Sequence, residues 1–315
     1  MTRHLTMTAA LCSAAMGATA VAAAECPEGY PSEPIEFVVG YAAGGGTDAI
    51  ARRLASEIEQ QQDWTIVVSN RPGAGGDVLM TALTDEEPDG YFLGVSSTNA
   101  VTIDPAANEG VDYTWEDFDY PATAMEVIFG LVALESAPYD DLEEFIDYAR
   151  ENGRATISTS AIHLENVVRQ IGEHYGVTLI PVPGGGASDA LQSALGGHVD
   201  ATIQGSQHIQ QIQAGNMVQL ATLTNKRVPY APDAKTLTEY GLDVVAGAHV
   251  LFALPKGVDP AIRTCLQQAI DEGMQSEGYA ALMKNFNNEA LNLGPEGAVA
   301  FIKKGAEYYD ALYSE

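Results

Sequence analysis

The sequence predicts an α/β protein of two lobes, each built on a mainly parallel sheet, with a ligand cleft between them. Three observations carry this prediction. Apolar runs of strand length alternate with helix-period segments along the chain, the signature of βαβ units and parallel sheets. The alternation runs through twice within 315 residues, a length for one or two domains with a sizeable core. Glycine clusters follow apolar runs at Gly44-Gly45-Gly46 and Gly184-Gly185-Gly186, at the strand-to-helix turns where such folds receive ligands.

Residues 35–39 read as a buried strand. From 47 to 62, Ile50, Leu54 and Ile58 recur every four residues with Ala51 and Ala55 beside them. Arg52, Arg53, Glu57 and Glu59 fall between, so one apolar stripe marks a helix. Strands follow at 65–69 and, after the turn Pro88-Asp89-Gly90, at 91–96. The long apolar run 127–134 is expected as a fourth strand. Next come helix 141–150, strand 155–158, helix 164–175, strand 178–181 and helix 187–195. Strands at 201–204, 218–223 and 250–254 precede a helical region at 260–283. Two compact lobes fit this order, with crossings near 124–130 and 247–254. Lobe one then takes residues 25–125 and 251–315, and lobe two takes 126–250.

Residues 1–24 read as a signal peptide cut after Ala24. A short basic start precedes an apolar stretch of small residues and an Ala-Ala-Ala ending. The mature chain is therefore expected in the periplasm. No other stretch reaches about 18 uninterrupted apolar residues, so no membrane span is expected. Cys12 leaves with the leader, and Cys26 and Cys265 remain. An oxidising compartment permits a bond between them; their Cα separation decides it, and sequence leaves that open. The net charge is −28, from 43 acidic against 15 basic residues. That excludes a nucleic-acid binder, whose basic surface replaces counterions.

Gly44-Gly45-Gly46 leads into Thr47 and Asp48, residue types that suit a helix cap. Glycine has no Cβ, so a ligand reaches the main chain. The first helical turn leaves N–H donors at a partly positive terminus. Together they make an anion site without a cationic side chain. Nucleotide fingerprints do not fit. No Gly-Lys-Ser/Thr follows these glycines, and Ala49 stands where a dinucleotide loop carries its last glycine. Gly184-Gly185-Gly186 repeats the arrangement before the helix at 187–195. The cluster at 70–78, Asn-Arg-Pro-Gly-Ala-Gly-Gly-Asp-Val, is expected to shape the backbone only.

His163, His174, His198, His208 and His249 show neither His-x-x-x-His spacing nor a cysteine partner, so no metal is expected, and no cofactor. Gly205-Ser206 lacks a Gly-x-Ser-x-Gly elbow and no acid pair is marked by spacing, which argues against an enzyme and leaves an exported hydrolase as the rival class. Trp64 and Trp115 read as packing residues.

The segments YPSEPIEFVVGYAAGGGTDAIAR, NRPGAGG, PDGY, VPGGGASDAL and LGGHVD stand in that order. They closely resemble the substrate-binding proteins of tripartite tricarboxylate transporters, the Bug family, and most of all its tricarboxylate-binding members. The resemblance covers nearly the whole mature chain. It implies a two-lobed periplasmic binding protein, a monomer, that closes over a small di- or tricarboxylate. It also implies delivery to a membrane permease of one large and one small subunit. A ligand-sensing subunit for a membrane receptor has the same fold and stays open as an alternative. Carried over residue by residue, the family's ligand loop is Tyr41, Ala43, Gly44, Gly45, Gly46, Thr47 and Asp48. Strand ends add Ser96, Ser97 and Thr98, then Ser158, Thr159, Ser160 and His163. Gly184, Gly185 and Gly186 follow, with Gln204 and Ser206. Two features depart from the family pattern. Residues 157–163 are short and without glycine where a longer, glycine-bearing loop is usual. Gly184-Gly185 stands where many members have Tyr-Lys, which removes a cation from the expected site.

Overall fold

The computed structural model describes residues 26–314 apart from 109, 185, 225, 243 and 245. The expected leader, with its cut after Ala24, and Gly185 lie outside the described residues. Lobe one opens with β1 (Ile35–Val39), α1 (Gly46–Gln62), β2 (Ile66–Asn70), α2 (Asp77–Leu83) and β3 (Phe92–Ser97). Two single-turn helices, α3 (Asn99–Thr102) and α4 (Asp104–Ala107), lead to β4 (Phe118–Val127). Lobe two runs β5 (Gly130–Leu134), α5 (Leu142–Glu151), β6 (Ala155–Thr159), α6 (Ile162–Tyr175) and β7 (Leu179–Pro183). It continues with α7 (Ala187–Leu195), β8 (Ala201–Gln204), α8 (His208–Gln213) and β9 (Met217–Thr222). The chain then returns to lobe one as β10 (Ala248–Pro255), α9 (Pro260–Met274), α10 (Glu277–Asn285) and α11 (Gly294–Tyr313).

Each lobe holds one five-stranded sheet, ordered β2-β1-β3-β10-β4 and β7-β6-β8-β5-β9. In the first, β1 pairs parallel with β2 and β3, while β10 runs against β3 and β4. In the second, β6 pairs parallel with β7 and β8, while β5 runs against β8 and β9. The two sheets therefore share one topology, with β10 and β5 in equivalent places. The expected stripe of α1 is its buried face: Ile50, Ala51, Leu54, Ala55 and Ile58 pack on the sheet. Leu54 is fully buried, which is worth about 2 kcal/mol in transfer free energy. Lobe two has its own core around Leu131, Phe145, Ile157, Val168 and Ile203.

The apolar run 127–134, expected as one strand, is two. β4 ends at Val127, the chain crosses at Ile128-Phe129, and β5 starts at Gly130. Apolarity reports burial and not continuity, so a crossing through buried ground leaves no mark in the pattern. β4 carries Pro121, which masks it as a strand. It lies at the sheet edge, where the missing N–H breaks no ladder bond. β10 begins earlier than expected, and its first residues pair with the end of β4, Ala248 with Val127 and His249 with Glu126. Divisions at 125/126 and 250/251 thus cut two paired strands of one sheet. The sheets are instead joined through 128–129 and 223–247. The helical region 260–283 is also two helices, because Ser276 Oγ accepts the Tyr279 N–H and caps a new start. Cys26 and Cys265 are bonded with Cα atoms 4.8 Å apart, tying the start of the described chain to α9.

Candidate functional site

The carboxyl ends of the parallel strands of both sheets meet at one cleft. Two adjoining cavities occupy it, of about 380 Å³ and 720 Å³, sharing Tyr41, Thr47, Gly75, Ser160, Gly186 and Ala187. Lobe one supplies residues 41–47 after β1, Gly75 after β2, and Ser97, Asn99 and Asp104 from the end of β3 onward. Lobe two supplies Ser160, Ala161, His163 and Leu164 after β6, residues 186–189 after β7, and Gln207 after β8. Val127, Phe129 and Ala248, beside the crossings, complete the lining.

Three of the longer helices begin at this cleft with no side-chain cap. The N-cap residues of α1, α6 and α7 are Gly45, Ala161 and Gly186. The first helical bonds of α1 and α7 run from Ala49 N–H to Gly45 O and from Ala190 N–H to Gly186 O, both at 3.0 Å. The N–H groups of Gly46, Thr47, Ala187 and Ser188 stand ahead of those bonds and are left for an acceptor in the cleft. Among helices that start elsewhere, Asp141 caps α5, Asp259 caps α9 and Ser276 caps α10, whereas α11 starts at Leu293 without a side-chain cap. Each uncapped terminus also carries partial positive charge. Among the described residues, no lysine or arginine lines either cavity, so main-chain donors are this cleft's means of holding an anion. The basic residues Lys256 and Arg263 line a separate hollow of about 420 Å³ in lobe one. There both pair with Asp119, at 3.2 and 2.9 Å.

The first glycine loop is fixed from behind. Asp48 does not line the cavities; its carboxylate accepts Gly44 N–H at 2.9 Å, Asn70 Nδ2 at 2.8 Å and Arg52 Nε at 3.0 Å. Burial raises this acid, but the bonds from Arg52, the Gly44 N–H and Asn70 outweigh it and hold the carboxyl below its usual range. Tyr41 Oη donates to Gly75 O at 2.7 Å and lies 2.8 Å from Ser97 Oγ. Burial pushes this phenol up to about 12. The cluster at 70–78, expected only to turn the chain, therefore contributes to the cleft. Gly75 has φ +70°, a conformation that favours glycine, and a Cβ there would lie 3.2 Å from Asp104 Oδ2.

His163 is buried, and its Nε2 lies 3.3 Å from Asn99 Nδ2 of the other lobe. Burial pushes the ring down to about 4, so it is neutral at pH 7 and receives the amide proton on Nε2. Its edge packs against Phe129 at 6.0 Å between centroids.

Of the expected residues, Tyr41, Ala43, Gly44, Gly45, Gly46, Thr47, Ser97, Ser160, His163 and Gly186 line the cleft. Several others lie behind its wall. Ser96 is fully buried against Gly40 and Gly76. Thr98 binds β10, its Oγ1 accepting His249 N–H at 3.0 Å. Ser158 Oγ donates to Ala190 O at 2.8 Å. Thr159 and Gln204 are fully buried, with Gln204 Nε2 on Thr202 Oγ1 at 2.8 Å. Gly184 packs tightly on α7, its N–H donating to Thr159 O at 2.8 Å. Ser206 is exposed and outside both cavities. Successive strand side chains face opposite ways, so a run of hydroxyls at a strand end cannot all reach one cavity. Asn99, Asp104, Phe129, Ala187, Ser188, Asp189 and Gln207 line the cleft without having been foreseen. Ala187 and Ser188 follow from the same uncapped-terminus rule that marks Gly46 and Thr47. Nothing in the sequence singles out Asn99 or Asp104.

Among the described residues, no group of three His, Cys, Asp or Glu is placed to hold a metal ion. No helix among them is long and apolar enough to cross a membrane.

The family profile described as tripartite tricarboxylate transporter family receptor (TctC) matches residues 50–313. The chain is 30% identical over 305 residues to the UPF0065 protein in the gbd 5′ region of Cupriavidus necator, covering 93% of this chain and 90% of that protein. It is similar in structure to the periplasmic binding protein BugD, with TM-score 0.77 and 27% identity over 90% of this chain and 98% of that one. A TctC solute-binding protein from Polaromonas gives TM-score 0.76 and 26% identity, covering 90% and 99%. The family and these structures are solute-binding proteins and not enzymes. On fold, on topology and on a match that spans nearly all of the described residues, the chain belongs to the receptor family of tripartite tricarboxylate transporters, the Bug family.

Proposed function

We propose that this protein captures a small di- or tricarboxylate in the periplasm, as a monomer, and hands it to a membrane permease of one large and one small subunit. Residues 1–24 serve as the export signal, cut after Ala24. The observation that carries the reading is the meeting of three uncapped helix N-termini, from both lobes, at a cleft with no lysine or arginine among its described lining residues. Gly46, Thr47, Ala187 and Ser188 supply the N–H donors, and the neutral His163 and Ser160 add polar contacts.

A chain of net charge −28 repels a polyanion at long range, but beyond about 8 Å that repulsion is largely screened in physiological salt. At contact, each charge-assisted N–H bond contributes about 1.5–3 kcal/mol. Short-range donors therefore prevail in the cleft, while the surface charge slows encounter.

The test is a thermal-shift panel on the mature chain with citrate, succinate, aromatic acids and acidic amino acids. A bound acid at about 100 times its dissociation constant stabilises by about 2.7 kcal/mol, so the melting temperature climbs with concentration. A panel in which no acid shifts melting, while a sugar or a cation does, removes the reading. For the transport step, vesicles carrying the two permease subunits should take up the acid only when this protein is added.

A further inference from the structure

Helix α6 belongs to lobe two, and one face of it is bonded to lobe one. His163, Asn166 and Gln170 stand three and then four residues apart, so they share that face. Asn99, at the start of α3, reaches the first of them, its Nδ2 3.3 Å from His163 Nε2. Tyr313 and Tyr308 of α11 reach the others. Asn166 Nδ2 donates to Tyr313 Oη at 2.6 Å, and Gln170 Nε2 donates to Tyr308 Oη at 3.3 Å. α11 is itself packed into lobe one through Ala298 and Ile302. The Asn99–His163 contact therefore belongs to a set that presses α6 on the other lobe. It stands at the inner, 380 Å³ cavity, which both of its residues line.

A neutral imidazole has one N–H and one bare nitrogen. His163 is 8% exposed, and its burial keeps the ring neutral. The Asn99 amide N–H needs a bare nitrogen to receive it, so Nε2 is bare and the ring proton sits on Nδ1. Nδ1 has no hydrogen-bond partner among the described residues, yet it is not sealed from solvent as Nδ1 of His208 and of His249 are. Around it the cavity wall is largely apolar, with Val127, Phe129, Leu164 and Ala248. An N–H removed from water without a partner costs free energy until an acceptor reaches it.

We infer that Asn99 is a positioning residue for the ligand: from the opposite lobe it holds the His163 proton on Nδ1, and that N–H takes the second carboxylate of a dicarboxylate whose first is held at the starts of α1 and α7. The inference rests on the carboxylate reading of the cleft. Only hydrogen-bond partners change; no proton is transferred. Because Asn99 and His163 belong to different lobes, their contact exists only while the lobes are together. Apart, Nε2 meets water, which both donates and accepts, and the position of the ring proton is no longer dictated. Closure thus completes the donor that reads the second carboxylate, and the choice between one-ended and two-ended acids is made in the closed state.

The test compares succinate with butyrate, which has the same number of carbons and one carboxyl fewer, by isothermal titration of the mature chain. Wild type should prefer succinate. In Asn99→Ala and in His163→Gln that preference should fall about tenfold, as expected for one hydrogen bond to a charged group. The double variant should fall no further than either single one, since Asn99 acts through His163. A contact that merely holds the lobes together would weaken both acids alike in Asn99→Ala, and that result overturns the inference. Long-range proton–nitrogen NMR of the chain labelled at histidine gives a second readout. The wild-type succinate complex should carry the His163 proton on Nδ1, and Asn99→Ala should lose that bias. A wild-type proton on Nε2 overturns the inference. If wild type binds butyrate as well as succinate, the positioning role falls while the cleft reading stands. If no carboxylate binds, both fall.

Discussion

The Asp48 carboxylate accepts the Gly44 N–H at 2.9 Å. That bond takes one amide of the first glycine loop out of service for a ligand and uses it to hold the loop's shape. Gly44 sits at φ +83°, and the same carboxylate binds Asn70 and Arg52. An acid just inside an anion site thus serves as scaffold, and the donors left for a ligand are those of Gly46 and Thr47.

Asp48→Ala should destabilise the fold by about 2–3 kcal/mol, because it strips hydrogen bonds from a mostly buried carboxylate. Ligand affinity should fall with it as the loop loosens. Asp48 is held below its usual range, so its contribution is present above the unfolded carboxyl's pKa and is lost as pH falls through the lower folded value. Urea denaturation at pH 7 and pH 3 of wild type and Asp48→Ala reads this directly: the gap between them should shrink in acid.

Gly46→Val separates site from scaffold. A Cβ at Gly46 meets no protein atom within 4 Å, and the residue lines the 720 Å³ cavity. The fold should change in stability by no more than about 0.5 kcal/mol, while carboxylate affinity should fall at least about a hundredfold, or about 2.7 kcal/mol. Titration calorimetry beside a melting curve decides it. Normal binding by this variant would place the ligand away from the first loop.

Tyr41→Phe removes the bond to Gly75 O and the contact with Ser97 Oγ. Gly75 is exposed, so the lost bond costs about 0.5–1.5 kcal/mol. Melting temperature should drop, and affinity should weaken because Gly75 and Ser97 both line the cleft. An unchanged melting curve would mean that water replaces the hydroxyl without cost.

Acid should weaken the fold before its carboxylates titrate. Burial pushes His163, His208 and His249 each down to about 4. The unfolded chain binds those protons from about pH 6.5 downward and the folded chain does not. Stability therefore falls as pH drops from about 6.5 to 4, by up to about 3 kcal/mol for each histidine. Asp104, pushed up to about 8, tilts the other way by one group. Calorimetry from pH 7 to 4.5 should show a steadily falling melting temperature, and a flat profile would contradict it.

The Cys26–Cys265 bond closes a loop with a sequence separation of 239. By loop-closure entropy it is worth up to about 5 kcal/mol. Cys26→Ser combined with Cys265→Ser should lower the urea midpoint and make it insensitive to reductant, whereas the wild-type midpoint should fall to match once reductant is added.

Local chemistry made much of the architecture legible. The four-residue recurrence of Ile50, Leu54 and Ile58 gives α1 within one residue of its start, because an apolar stripe must be buried whatever it packs against. Gly45 and Gly186 mark the starts of α1 and α7 as open to a ligand, since a glycine cap has no side chain to fill the first turn. Residues beyond one turn's reach were harder. Ser96 and Ser97 are neighbours with the same side chain, yet one is sealed in the wall and the other meets Tyr41. Gly75 reads as turn chemistry until β1 and β2 lie side by side and bring it to Tyr41, 34 positions away.

The sequence by itself determined the strand and helix periods, the glycine turns ahead of α1 and α7 and the acidic balance, because each depends on residues within a few positions of one another; Thr47 and Asp48, expected as cap types, lie instead inside the first turn of α1 behind Gly45. Only the tertiary structure decided where the chain leaves one sheet for the other, that Cys26 meets Cys265, and that Asn99 of one lobe meets His163 of the other beside the cleft. Those are contacts between segments far apart in the chain. Packing selects them, and no local pattern records which distant partner fills the space.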